Sequence, residues 1–150
     1  MREIKFRGKR IDNGEWVYGC YLKRWTGTKY KHYIHDGLSE YEVDPETVGE
    51  YSGLLDKNSV EVFEGDIAQT VKMKAIVRLG EFTPVVLKEW CEEQGVTEDV
   101  KMVGFYCEGI SSKIDSNVKG KQFFLPSHEP CAFVVIGNQY DNPELLKEGD

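Results

Sequence analysis

Apolar and polar positions alternate with a period of two over much of the first 50 residues. This period is typical of β-strands with one buried face, whereas a helix repeats every three to four residues. It predicts four strands, at residues 3–7, 15–22, 30–35 and 40–43. The Asp-Asn-Gly turn at 12–14 joins the first two strands as a hairpin. The pattern therefore predicts an antiparallel N-terminal sheet that ends near residue 50.

The β pattern continues through the rest of the chain. Residues 44–49 contain Pro45, whose fixed φ favours a tight turn. Further strands are predicted within residues 60–71 and at 74–79, 100–107, 122–125 and 132–136. The Glu-Gly-Asp turn at 64–66, followed by alternating strands, is typical of a small barrel-like or rolled β-sheet. Residues 109–121, rich in Ser, Lys, Asn and Gly, are predicted to form a loop.

One segment, residues 84–94, carries the signals of a helix. Thr83 is the expected N-cap, Pro84 the first helical residue, and Gly95 the terminator. Four apolar side chains are spaced to share one face of this helix: Val86, Leu87, Trp90 and Cys91. We expect that face to be buried against the sheet.

A last helical turn is predicted at residues 143–148, with Asn142 as its N-cap and Pro143 at its first position. The fold class is therefore expected to be mainly β: an antiparallel N-terminal sheet plus a small barrel-like or rolled sheet, with one short helix near 84–94 and a C-terminal helical turn. At 150 residues the chain can form a single domain with a packed core, which a boundary near residue 50 could divide.

Composition argues against several classes of protein. The four cysteines are scattered without a CxxC pair, which favours reduced, mostly buried thiols over a disulfide framework or a zinc ribbon; they are Cys20, Cys91, Cys107 and Cys131. No stretch approaches the ~20 apolar residues of a membrane span, and the first residues lack the apolar segment of a signal peptide. We therefore expect a cytoplasmic protein with no membrane partner.

Charge is divided unevenly along the chain. Residues 1–31 hold nine Lys/Arg against three Asp/Glu, a net charge of +6, whereas residues 32–150 carry a net charge of −13. Opposite fields on one small protein favour either an anionic ligand at the basic part or docking of the basic part onto an acidic surface.

The basic part also contains many aromatic residues, and it supplies the candidate binding residues, for nucleic acid or for a protein partner: Arg7, Lys9, Arg10, Lys23, Arg24, Trp25, Lys29 and Lys31. The favoured interpretation is self-association into a homo-oligomer, with another protein as the other partner. The alternative is binding of single-stranded DNA or RNA, since cations contact phosphates and aromatic rings stack on bases.

The sequence gives only weak support for catalytic or metal-binding groups. His32 and His35 are expected on opposite faces of one strand, so they do not converge on an ion with Asp36. His128 and Cys131 are near in sequence, which is poor support for a nucleophile and base. Glu64 and Asp66 are better explained by a turn that Asp66 caps. Phosphate-binding glycine motifs are absent. We expect no catalytic residues, no metal and no cofactor, and an enzyme is the least favoured class.

Three segments of the sequence together resemble the YopX family: the start at residues 1–9, a central run at 43–58 that continues into 62–68, and the tail at 135–146. The resemblance implies a gene carried by a bacteriophage or prophage, and therefore a protein in the cytoplasm of a bacterial host cell, where a host or phage protein is another candidate partner. It implies no particular reaction or functional residue. One departure bears on local structure. Ser59 stands where the family commonly has glycine, so a turn with positive φ at this position would be strained.

Overall fold

A computed structural model describes residues 3–96, 100–113, 117–125 and 133–147. Two compact units divide the chain, Met1–Gly53 and Leu54–Asp150. Strands account for 52% of these described residues, which form two antiparallel sheets and one α-helix. The expected mainly β fold is therefore confirmed. Within the described residues, no helix has the length and apolar composition that a membrane span needs.

Five strands begin in the first unit and follow one another along the chain. They are β1 (Phe6–Lys9), β2 (Trp16–Trp25), β3 (Tyr30–His35), β4 (Glu40–Glu42) and β5 (Gly49–Leu55), which crosses the boundary between the units. A 3₁₀ turn at Pro45–Thr47 precedes β5, and the Asp44 carboxylate accepts a hydrogen bond from the N–H of Glu46. Pairing is antiparallel between neighbours, as the alternating pattern predicted.

The remaining strands and the helix follow in the second unit. They are β6 (Glu61–Phe63), β7 (Asp66–Gln69), β8 (Met73–Phe82), α1 (Val85–Gln94), β9 (Met102–Ser112), β10 (Gln122–Phe124) and β11 (Val134–Asn138). The six-stranded sheet has the order β4-β3-β2-β1-β5-β6, and the five-stranded sheet has the order β10-β9-β8-β7-β11. In the described residues the second sheet is open, since its edge strands do not close a barrel.

The core of the first unit lies on one face of its sheet. Val17, Ile34 and Val43 are buried together, and the rings of Phe6 and Tyr41 pack against them. Gly8 makes this packing possible, because a Cβ at this position would lie 3.2 Å from side-chain atoms of Ile34 and Val43. The period of two seen in the sequence is thus the consequence of a single buried face.

The second unit buries apolar side chains on both faces of its sheet. One cluster consists of Val62, Ala68, Ala75, Val77, Cys107 and Phe133, and the other of Ile67, Ile76 and Ile110. Burial raises the pKa of the Cys107 thiol to about 12, so Cys107 behaves as a small apolar side chain. Cys91 is also buried, whereas Cys20 is exposed, and all three are free thiols.

The helix forms where it was expected, but its cap and its burial were predicted wrongly. Pro84, not Thr83, is the N-cap residue, and no side chain caps the helix; Gly95 ends it in the left-handed conformation. Cys91 is the buried residue of α1, whereas Val86 is 59% and Trp90 is 53% exposed. The ten-residue helix packs on β10, a strand of only three residues, so the contact is too narrow to cover its whole apolar arc.

Two further expectations need correction. Strand β9 continues to Ser112, so the loop expected at 109–121 is wrong at its start. Gly109 donates its N–H to the carbonyl of Lys121, and Val118 is buried, so the end of that segment is packed as well. At the C-terminus, a 3₁₀ turn covers Pro143–Leu146 after Asn142, whose side chain makes no cap hydrogen bond. Residue 148, predicted to end this turn, lies outside the described residues.

A buried carboxylate organises the turn between β5 and β6. Asp56 is 5% exposed, and its Oδ1 accepts hydrogen bonds from the N–H groups of Asn58 at 2.7 Å and Val60 at 2.9 Å. Its Oδ2 accepts a third from Val135 N–H at 2.9 Å, which ties the turn to β11. A carboxylate with several backbone donors can stay ionised in a buried position.

The Glu-Gly-Asp turn has the structural role that was expected for it. Gly65 has a φ of 85°, which glycine adopts without strain, and the Asp66 carboxylate accepts a hydrogen bond from Phe63 N–H at 2.8 Å. Asp66 is 1% exposed. Gly65 and Asp66 therefore shape the turn between β6 and β7.

The substitution Asp56→Asn is expected to lower the free energy of unfolding by about 2–3 kcal/mol at pH 7, because the charge-assisted bonds are lost. Burial alone would raise the pKa of Asp56, but the N–H groups of Val60, Val135 and Asn58 bring the pKa below its ordinary value. The stabilisation is present above the unfolded-state pKa and is lost as the pH falls through the folded-state pKa. Urea unfolding should give a smaller difference in free energy of unfolding between parent and variant at pH 3 than at pH 7. An equal difference at both pH values would contradict this.

The substitution Ser59→Gly is expected to raise the free energy of unfolding by about 0.5–1 kcal/mol. Ser59 has a φ of 63°, the left-handed conformation that costs a residue with a Cβ. Ser59→Ala is the matched control and should give no gain, because it keeps the Cβ. The urea midpoints of the three proteins measure the difference, and equal gains for Gly and Ala would exclude backbone strain as the cause.

Candidate interaction surface

The hairpin of β2 and β3 extends beyond the strands on either side of it. β1 pairs with β2 only at Trp16–Gly19, and β4 pairs with β3 only at Tyr33–His35. The connecting turn is closed by Thr26, whose N–H and Oγ1 both donate to the carbonyl of Lys29, at 3.0 and 2.8 Å. Residues 23–31 therefore form a projecting tip.

One face of this tip presents aromatic rings and cations together. Trp25 and Tyr30 pair directly across the hairpin, with ring centroids 5.0 Å apart in an edge-to-face arrangement. The Lys23 ammonium lies 4.5 Å from the Tyr30 ring centroid on the same face, and Lys29 is in the turn. Trp25 is 55% and Tyr30 is 54% exposed. We call Lys23, Trp25, Lys29 and Tyr30 the tip cluster.

On the opposite face of the hairpin, the cations form ion pairs with carboxylates. The Arg24 guanidinium makes two 2.9 Å hydrogen bonds to the Glu40 carboxylate, which raise the pKa of Arg24. The Lys31 ammonium lies 2.7 Å from the Glu42 carboxylate, and that hydrogen bond raises the pKa of Lys31. In contrast, Lys23 and Lys29 form no ion pair with any residue that the structure describes. The tip cluster thus keeps its positive charge.

The candidate residues on β1, and Arg10 directly after it, lie apart from the tip, because β1 pairs with the other end of β2. Arg7 is only 6% exposed, and its guanidinium lies 4.7 Å from the ring centroid of Trp16. Lys9 lies 5.5 Å from the same centroid. Arg10 makes a 2.6 Å ion pair with Asp12 and lies over the Tyr41 ring. The structure therefore splits the eight predicted residues into a β1 group and a hairpin group.

Two features of the tip were missed by reasoning from the sequence. Tyr30 was not among the candidate binding residues, although it flanks the same turn as Trp25 and is therefore its cross-strand partner. The ion pairs of Arg24 with Glu40 and of Lys31 with Glu42 were also missed. Both glutamates come from β4, so no pattern within the hairpin sequence points to them.

The YopX protein family matches residues 5–147 of the chain. The chain belongs to the YopX family. The resemblance found in the three sequence segments is thereby confirmed over nearly the whole length. No curated protein matches this YopX family member.

The histidines of this YopX family member do not converge. The strand register places His32 and His35 on opposite faces of β3. His32 shares a hydrogen bond with the Tyr21 hydroxyl, and His35 Nδ1 accepts one from Gly37 N–H at 3.0 Å. No group of three His, Cys, Asp or Glu side chains that could hold a metal ion occurs among the described residues. The pair His128 and Cys131 lies outside those residues.

The double substitution Trp25→Ser with Tyr30→Ser is expected to lower the free energy of unfolding by no more than about 1 kcal/mol, since both rings are half exposed at the end of a hairpin. Ile34→Ala, in the fully buried core of the same sheet, should cost about 2–5 kcal/mol. Urea unfolding of the two variants tests the contrast. A loss at the tip as large as that of Ile34→Ala would mean that the rings serve the fold.

Proposed function

We propose that this YopX family member is a non-catalytic interaction protein that self-associates through the tip cluster. The proposal includes a phage or prophage gene expressed in the cytoplasm of a bacterial host. The observation that carries it is the half-exposed Trp25–Tyr30 pair flanked by cations with no ion pair among the described residues.

An exposed aromatic pair favours association with another surface. Tyrosine and tryptophan are enriched at protein interfaces, because a ring contributes a large apolar area and loses little conformational freedom when it binds. Burying the exposed area of the two rings at an interface contributes a few kcal/mol to the free energy of association, at on the order of 25 cal/mol per Å². The cations beside the rings add orientation and faster encounter with an acidic surface.

A second copy is the partner that fits the charge distribution best. Residues 32–150 carry a net charge of −13, so each copy offers an acidic surface for the basic tip of another. Closed homo-oligomers are also the commonest assemblies of small proteins. A host or phage protein with an acidic, apolar surface would meet the same requirements, and it is an alternative outcome of the test below.

Binding of single-stranded nucleic acid is the second candidate function. It is supported by the tip rings, on which bases could stack, and by Lys23 and Lys29. Only two tip cations lack an ion pair among the described residues, so few phosphates would be neutralised and the salt dependence would be shallow. The acidic remainder of the chain would also repel a longer strand.

Two measurements on the same proteins separate these functions. Sedimentation should show a mass that rises with protein concentration, and the double substitution Trp25→Ser with Tyr30→Ser should reduce that rise by favouring the monomer. Leu38→Ser, which removes an exposed apolar side chain elsewhere in the first unit, is the matched control and should behave like the parent. Oligonucleotide titrations at low and high salt complete the experiment.

The outcomes are distinct. A parent that stays monomeric at every concentration, or an oligomer that the tip variant leaves intact, would contradict self-association through the tip. If the parent is monomeric but binds oligonucleotides in a salt-sensitive way that the tip variant loses, the nucleic-acid function replaces it. If it is monomeric and binds neither, the remaining proposal is a host or phage protein, which must then be isolated with the intact tip and not with the variant.

A further inference from the structure

Helix α1 carries an exposed stripe that the fold does not use. Val86, Glu89, Trp90 and Glu93 follow the spacing i, i+3, i+4 and i+7, which places them on one face of a helix. Val86 and Trp90 are more than half exposed, and both glutamates are exposed. The opposite face contains Cys91, the buried residue of the helix. We call these four exposed residues the α1 stripe.

The stripe has a negative charge as well as an apolar surface. Glu89 and Glu93 form no ion pair with any residue that the structure describes, and the stripe itself contains no lysine or arginine. Lys88 lies about 100° around the helix from Glu89, outside the stripe. Exposed aromatic and aliphatic surface bordered by charges of one sign is typical of an interaction site.

The α1 stripe is complementary to the tip cluster in both respects. Each has an exposed tryptophan, and the two ammonium groups of the tip match the two carboxylates of the stripe. On the stripe, Glu89 directly precedes Trp90, and Glu93 lies about 4.5 Å from Trp90 along the helix axis. On the tip, Lys23 lies about 7 Å from Trp25 along its strand, so both surfaces place a charge beside a ring. Rings can therefore meet the apolar part of the stripe while a lysine reaches a carboxylate beside it.

We propose that the α1 stripe of one copy is the surface that receives the tip cluster of a second copy. This inference rests on the proposed function, because it names the partner surface for the same tip. The contact joins different surfaces of the two copies, so repeating it closes a ring, of which a reciprocal dimer is the smallest, or extends a filament. The tryptophans and Tyr30 form its desolvated centre, and the lysine–glutamate pairs form its rim.

Charge reversal tests the pairing. Variant A carries Lys23→Glu and Lys29→Glu, and variant B carries Glu89→Lys and Glu93→Lys. Each alone sets like charges against each other and is expected to weaken self-association about tenfold or more. An equimolar mixture of A and B should associate again, because the acidic tip of A meets the basic stripe of B and the basic tip of B meets the acidic stripe of A. Sedimentation of A, B and the mixture gives the result.

Two controls exclude a general effect of charge and of misfolding. Glu46→Lys with Glu144→Lys changes the net charge as much as variant B but lies outside the stripe, and it should associate like the parent. Urea unfolding should show that A and B are as stable as the parent within about 1 kcal/mol, since all four sites are exposed.

Failure of this inference differs from failure of the proposed function. If the tip variants weaken association while variant B does not, or if the mixture of A and B fails to recover, then the α1 stripe is not the receiving surface and self-association through the tip still stands. If neither the tip variants nor variant B changes the mass, both proposals fall.

Discussion

The register between β2 and β3 fixes what the first unit buries and what it exposes. Side chains alternate along each strand, so the pairing that places Ile34 in the core also places Lys23, Trp25 and Tyr30 on one face of the hairpin. A slip of one residue would turn Ile34 away from the core and separate the two rings. The core therefore holds the tip cluster in place.

Charges in the first unit fall into two classes, and only one is free to attract a partner. Arg24 and Lys31 are matched by carboxylates of β4, which stiffen the hairpin from its other face. Lys23 and Lys29 have no such match among the described residues. The excess of cations counted along residues 1–31 therefore includes two, Arg24 and Lys31, whose charge is balanced by carboxylates of β4.

Carboxylates of the second unit divide in the same way. Asp56 is buried and accepts three backbone hydrogen bonds, which join a turn to β11 and make its contribution structural. Glu89 and Glu93 lie on the exposed side of α1, next to a tryptophan that the narrow support of β10 leaves uncovered. The short helix thus packs along one side, and its other side is exposed.

The sequence by itself determined the mainly β class, most strand positions, the end of α1 at Gly95 and the turn roles of Gly65 and Asp66, since periodicity and turn preference act over a few residues. It also carried enough of the YopX pattern for the family to be recognised. Only the tertiary structure decided which side of α1 is covered and which charges meet. Arg24 meets a carboxylate 16 residues away, and Asp56 binds a backbone N–H 79 residues away. Such contacts depend on how distant strands are brought together, which no local pattern encodes.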